Sequence, residues 1–324
     1  MNRRRFVGLA ATSLFGIAVQ ISRVWAQAWP QRPVKFIVPL GAGSAADITA
    51  RLVADRLSSI WHQPVVVENR PGGDAIVGIS SFVSAHDDHV LLFTASASFT
   101  PQPYVHQALP YDAQRDLMPI AGISDVSVGI AVPQSLNVGS LPELVDMVRK
   151  EPGKLNWGAI TSLDDFVFSG FLKNQSLSMS RVPYRDPVSA LNDLSEARID
   201  VALAALALSL PRVQTGKVKL LAVVNRQRSP VASELPTVAE AGYPTLGYDP
   251  ILGLFGPSVM TAEVQQKISA DLQTVASDGS IRERLTPTGQ IVDFVATDKF
   301  VASVHAEREK ITSLAKMLDI HPGQ

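Results

Sequence analysis

The first clear change of hydrophobic period in this chain lies between residues 34 and 60. Val34-Lys35-Phe36-Ile37-Val38-Pro39-Leu40 is rich in β-branched and aromatic residues and predicts a buried strand. A small-residue run follows, Gly41-Ala42-Gly43-Ser44-Ala45-Ala46-Asp47. Beyond it, apolar residues at Ile48, Leu52, Val53, Leu57 and Ile60 make one broad helical face. Residues 64–67 predict a second strand and residues 68–73 a turn. A helix is expected from Asp74 to about Ala85, and a third strand at residues 90–93. This alternation predicts a parallel sheet with crossover helices.

Further on, residues 120–132 supply apolar strand material ending at Pro133, and residues 141–149 predict a helix with Ser140 as N-cap. A second α/β series follows. It has a strand at 155–159, a turn at 160–165, a helix at 166–172, an extended piece at 181–185, a helix at 188–197, and strands at 199–205 and 220–224. Residues 242–257 are rich in Gly and Pro and predict a return between two lobes. Val264, Ile268 and Leu272 then fall at helical spacing, and residues 295–318 predict further helix. By analogy with two-lobed binders, these last helices are expected to pack back on the first lobe.

The N-terminus does not belong to this pattern. Arg3, Arg4 and Arg5 precede a small, apolar stretch at residues 6–21, and both Val24-Trp25-Ala26 and Ala26-Gln27-Ala28 offer small-x-small cleavage sites. Residues 1–26 are therefore expected to be a signal peptide, cleaved near Ala26 or Ala28, with the general and twin-arginine export routes both open. The chain has no cysteine, which excludes disulfides, thiol nucleophiles and thiolate metal sites. A net charge of −1 without basic blocks gives nucleic-acid binding no electrostatic support. About 300 mature residues can build two cored lobes.

The turn at residues 41–47 is the first candidate contact, because a helix N-terminus presents backbone amides and a favourable dipole to an anion or carbonyl oxygen. Gly41-Ala42-Gly43-Ser44-Ala45-Ala46 also fits G-x-G-x-x-G/A, with Glu68 roughly where a ribose-binding acid would stand. Against a dinucleotide, Asp47 would compete with a pyrophosphate for the same amides. Its S-x-x-D spacing from Ser44 equally suits a capping box. The hydroxyls Thr94, Ser96 and Ser98 beyond the third strand are a second candidate. His86-Asp87-Asp88-His89 has the spacing of a surface turn rather than of a metal site. No G-x-S-x-G elbow exists, and the adjacent pairs Asp87/Asp88 and Asp164/Asp165 do not aim at one atom, so no catalytic set emerges. Asp164 and Asp165 suit the charge complement of a helix N-terminus.

Ordered fragments across nearly all of the mature chain resemble the tripartite tricarboxylate transporter receptors, the Bug or TctC-type extracytoplasmic solute receptors. They include Trp29-Pro30-Gln31-Arg32-Pro33, Val38-Pro39-Leu40-Gly41-Ala42-Gly43 with Asp47 and Arg51, and Gln63-Pro64-Val65-Val66-Val67-Glu68-Asn69-Arg70-Pro71-Gly72. Leu109-Pro110-Tyr111-Asp112, Val182-Pro183-Tyr184-Arg185, Pro236-Thr237 with Glu240-Ala241-Gly242, and Gly256-Pro257 continue the series. The resemblance implies a two-lobed, type II-like periplasmic binding protein of α/β class, each lobe a mainly parallel sheet flanked by helices. Residues 27–128 with 250–324 would form lobe 1, and residues 129–249 lobe 2.

Family members typically hold a carboxylate or carbonyl ligand by backbone amides and bridging waters. Carried over, Leu40, Gly43, Ser44, Asp47, Asp74, Ala75 and Ser96 would line the cleft from lobe 1, and Ala159, Thr161, Ser162, Tyr184, Asp200 and Ala204 from lobe 2. The implied protein is a monomer without cofactor or metal that binds a small organic solute. Its partners would be membrane subunits of the TctA/TctB type or a sensor kinase. The competing expectation is an exported α/β enzyme with a cofactor at the Gly41–Gly43 turn.

Three departures from the family pattern stand out. Ser44 replaces a second glycine, and Asp74-Ala75-Ile76 stands where a Gly-Gly-Asn-like run is usual. The family's Gly/Ser-rich loop with its histidine is here Thr161-Ser162-Leu163-Asp164-Asp165-Phe166-Val167. Added carboxylates at Asp74 or Asp164 would disfavour a dianion, so a smaller, less anionic or amine-bearing solute is expected rather than citrate.

Overall fold

A computed structural model describes residues 29–159, 161–184 and 187–323 of the chain, apart from the side chain of Ala159. The expected signal peptide lies outside the described residues. In chain order the elements are β1 (Val34–Val38), α1 (Ala45–Trp61), β2 (Val65–Asn69), α2 (Ile76–Ala85), β3 (Val90–Ala95), α3 (Ala113–Asp116) and β4 (Leu117–Val126). Then come β5 (Val128–Pro133), α4 (Leu141–Lys150), β6 (Asn156–Ala159), α5 (Ser162–Asn174), β7 (Ser180–Pro183), α6 (Pro187–Ser195), β8 (Val201–Ala205), α7 (Leu206–Gln214) and β9 (Val218–Val223). The chain closes with β10 (Ile251–Pro257), α8 (Ala262–Ala276), α9 (Gly279–Leu285), β11 (Gln290–Val295) and α10 (Thr297–Leu318).

Two helix-flanked sheets result, the two-lobed α/β class expected. One runs β11-β4-β10-β3-β1-β2, the other β7-β6-β8-β5-β9. Their strand directions are more mixed than the mainly parallel sheets expected. β1 pairs in parallel with β2 and β3, whereas β10 is antiparallel to β3 and β4, and β11 is antiparallel to β4. In the second sheet β6 is parallel to β7 and β8, while β5 is antiparallel to β8 and β9. β5 enters from the other sheet and β10 returns from it, so these two meet their neighbours from the opposite end, and β11 runs in the same direction as β10.

The apolar run at 120–132 is in fact two strands, one in each sheet, with only Ser127 between β4 and β5. Asn225, on the return path, ties this crossing together. Its Oδ1 accepts from Val128 N at 3.0 Å and its Nδ2 donates to Val126 O at 2.9 Å. Ser127 Oγ and Ser229 Oγ lie 3.0 Å apart beside it.

Each sheet has its own apolar core. Phe36, Leu57, Leu91, Phe93, Ile120 and Leu254 belong to one, and Trp157, Phe168, Leu203 and Leu246 to the other. The α10 helix serves both lobes. Phe300 and Val304 pack with Ile37 and Phe255 of the first sheet, and Ile311 and Ala315 join the core around Trp157. The expectation that the C-terminal helices pack on the first lobe holds for α8 and α9, whose Ile268, Leu272 and Ile281 lie in the first core, but for only the first half of α10.

Candidate ligand cleft

At the first strand–helix turn, Ser44 is the N-cap of α1, and its Oγ accepts from Asp47 N at 3.2 Å. Asp47 is 4% exposed. One oxygen accepts from Gly43 N at 2.9 Å; the other accepts from Asn69 Nδ2 at 2.9 Å and pairs with Arg51 at 2.9 Å. Burial pushes its pKa up, but the hydrogen bonds from Arg51, Gly43 and Asn69 outweigh it and hold the group below the ordinary aspartate value. The Gly43 amide, an expected ligand donor, is thus turned onto the chain's own carboxylate. Leu40 is half-buried against the first core, and its carbonyl accepts from Asn69 Nδ2 at 3.0 Å.

The second loop carries backbone strain. Gly72, Gly73, Asp74 and Ala75 all have positive φ, +127°, +55°, +53° and +73°. That is why α2 begins at Ile76 rather than at Asp74 as expected. Gln102 Nε2 holds the loop by donating to Asp74 O at 2.8 Å. Asp74 Oδ2 accepts from Ser162 Oγ at 2.7 Å, which joins this loop to the first turn of α5. Behind it lie His106, whose Nε2 is 4.0 Å from Asp74 Oδ2, and buried Tyr111, whose phenol burial and then Asp74 push up to about 12.

At the third loop Ser96 is buried, and its Oγ donates to Glu307 Oε2 at 2.9 Å, while Thr100 Oγ1 donates to Oε1 at 2.5 Å. Burial raises Glu307 to about 7 against the pull of those two hydroxyls and of Lys310 and Arg308. Ser96 therefore anchors α10. Glu307 carries a legible signal. It interrupts the apolar stripe Phe300, Val304, Ile311, Ala315, where a charged residue has to find buried partners.

Across the junction, Thr161 caps α5 in a capping box with Asp164, extending that helix four residues upstream of the expected start at Phe166. Asp164 is buried and accepts a short hydrogen bond from Tyr248 OH on the return segment. Burial raises it to about 6, against the hydrogen bonds of Tyr248 and Thr161. Lys310 Nζ donates to Gly247 O at 2.6 Å and Thr245 O at 3.1 Å, fixing that segment to α10. Nothing in the pattern around Tyr248 announced this role.

The remaining lobe 2 candidates divide between the two ends of the sheet: Pro183 of β7 pairs with Ala159 of β6, so Tyr184 follows on the Thr161 side. Tyr184 OH donates to Asp193 Oδ2 at 2.8 Å. Asp200 precedes β8 and accepts from Asn156 N at 2.8 Å, at the amino ends of β6 and β8. Thr161 follows β6 at its carboxyl end, so about 13 Å of strand separates it from Asp200. The expectation for Asp200 reversed the strand's polarity. Ala204 is buried among Ala131, Leu191 and Ala202, a core position. Ala159 ends β6, at the same end of the sheet as Thr161.

Asp87, Asp88 and His89 bring three ligand-type atoms within 4.8 Å, but Asp87 Oδ1 already accepts from Arg32 at 2.6 Å and from His89 N at 2.9 Å.

A family model described as "Tripartite tricarboxylate transporter family receptor" matches residues 49–314. The chain belongs to that family. As a family receptor it is 27% identical over 319 residues to a UPF0065 protein of Bordetella bronchiseptica, covering 97% of this chain and 95% of the relative. It is 28% identical over 265 residues to BugT of Bordetella pertussis, covering 79% and 80%. Among solved structures, Rpa4515 of R. palustris with adipate superposes at a TM-score of 0.78 with 26% identity, over 91% of this receptor and 99% of that chain. The periplasmic binding protein BugD superposes at 0.74 with 24% identity, over 90% and 99%, which supports the fold. In this receptor no helix among the described residues is long and apolar enough to cross a membrane.

Proposed function

We propose that this receptor is exported to the periplasm, with residues 1–26 as its signal peptide. There it closes two lobes, residues 27–128 with 250–324 and residues 129–249, on one small carboxylate- or carbonyl-bearing solute and hands it on chemically unaltered. The recipients are membrane subunits of the TctA/TctB type or a sensor kinase. The observation that carries this reading is the meeting of strand-end loops from both sheets: Asp74 of one lobe touches Ser162, at the first turn of α5. The adipate seen with Rpa4515 supports a carboxylate-bearing solute for a relative of this similarity.

The cofactor-binding enzyme gains no support from the first turn. Asp47 already takes the Gly43 amide, and Glu68 is paired with Lys35 at 2.7 Å and Arg70 at 2.5 Å rather than turned toward a ribose site. The test is thermal unfolding and calorimetry of the chain from residue 27 with C4–C6 carboxylates, followed by NMR of the recovered solute. Saturable stabilisation, about 2.7 kcal/mol at a hundredfold excess over Kd, with unchanged solute is expected. Turnover of the solute, or no binding by any carboxylate, refutes the reading.

A further inference from the structure

Resting on the receptor reading, we infer that Asp74 is the specificity-determining residue of the cleft. It places the protein's own carboxylate where a second carboxylate of a solute would be received, so the preferred solute carries one carboxylate and, at its other end, an ammonium group. Three observations combine. Asp74 and Ala75 hold positive φ angles of +53° and +73°, conformations that glycine takes without strain and that non-glycine residues keep where surrounding contacts enforce them.

The Asp74 side chain is directed across the junction, and its Oδ2 accepts from Ser162 Oγ at 2.7 Å, in the first turn of α5. An anion is favoured there, because the capping box satisfies the amides of Thr161 and Asp164 and leaves those of Ser162 and Leu163 at the helix pole. Finally, no strong cation stands beside Asp74. Among the described residues its ion-pair contact is His106 Nε2 at 4.0 Å, and neither lysine nor arginine pairs with it.

Asp164 and Asp47 do not share this role. Each occupies the first turn of a helix at the junction, but Asp164 is tied to Tyr248 and Asp47 to Arg51. Asp74 is the carboxylate left facing the opposite lobe, with its side chain 47% exposed. At such a half-exposed position a like charge about 4 Å away is disfavoured by about tenfold, and an ammonium is favoured to a similar degree.

The test uses length-matched pairs: succinate with 4-aminobutanoate, glutarate with 5-aminopentanoate, and adipate with 6-aminohexanoate. Affinities are measured by calorimetry on the wild type, Asp74→Asn, Asp74→Gly and Ser162→Ala. The wild type is expected to bind the amino acid of the best-fitting pair at least tenfold tighter than the diacid. Asp74→Asn and Asp74→Gly should each reduce that preference about tenfold, chiefly by gaining affinity for the diacid. Ser162→Ala keeps the charge and should keep the preference. Diacid bound as tightly by the wild type as by both Asp74 variants would overturn the inference and leave the receptor reading standing. Binding of no compound by any of the four proteins would overturn both.

Discussion

Replacement of Glu307 by glutamine should change sign in its effect on stability as pH rises. The Glu307 carboxyl turns inward onto Ser96 and Thr100, and burial lifts its pKa to about 7, whereas an unfolded glutamate titrates near 4.3. The folded chain therefore holds this proton more tightly than the unfolded one. The resulting stability is complete below about pH 4, is lost progressively as pH climbs to about 7, and levels off above that. The whole interval is worth about 3 kcal/mol. Glutamine is neutral throughout and keeps one acceptor, but its amide must be accommodated by a hydroxyl, at a cost of about 1 kcal/mol.

Glu307→Gln should accordingly be about 1 kcal/mol less stable than wild type at pH 4.5 and about 2 kcal/mol more stable at pH 8.5, with a crossing between. Urea unfolding of both proteins across this range provides the measurement. Titrations elsewhere in the chain cancel in the difference between the two. A difference that stays constant from pH 4.5 to 8.5 would refute a buried, proton-holding Glu307.

Two further substitutions probe the frame around the cleft. A Cβ at Gly253 would stand 2.4 Å from Ala121 O and 2.6 Å from the Phe300 ring, so Gly253→Ala should cost about 2 kcal/mol in unfolding free energy, and an unchanged denaturation midpoint would contradict the packing of β10. Asn225→Ala removes the acceptor of Val128 N and the donor to Val126 O in a buried site, which should cost about 3 kcal/mol and speed amide exchange at Val128; protection at that amide equal to wild type would argue against the clamp.

The alternation of strand and helix was legible along most of the chain because apolar residues recur at the right periods. What escaped was structure whose cause lies far away in sequence. β10 sits between β3 and β4, yet Gly253, Gly256 and Pro257 make it read as a loop. Gly253 is required there because Ala121 and Phe300 approach its backbone, and no local pattern carries that information. Residues 290–294 of β11 precede the expected helix at 295–318 and carry no strand expectation, since Gln290 gives the strand a polar start. That glutamine is buried for a distant reason: its Oε1 accepts from Thr49 at 2.7 Å and Ser124 at 3.0 Å.

At the cleft, residue types pointed to the right loops but not to what each group would touch. The Ser44–Asp47 spacing did encode a cap, though the reciprocal bond falls on Gly43 rather than on Ser44 itself. Asp200 was offered by the family resemblance, which points to β8 without saying which end of the strand that residue occupies; it precedes the strand, at the end away from Thr161. Tyr248 could not be found at all, as its partner Asp164 stands 84 residues away.

The straddling of α10 limits how the two halves can separate. A helix of 22 residues reaches about 33 Å, and this one contains neither glycine nor proline from Thr297 to Leu318, so it has no point at which to fold. Phe300, Val304 and Glu307 bind its leading half to one body, which makes the trailing half the surface that has to slip. That surface meets Gly170, over which Leu314 lies with no side chain in its way. In a receptor that opens as proposed, parting would be a glide along a rail, its travel set by how far Leu314 can move over α5 before a larger residue blocks it.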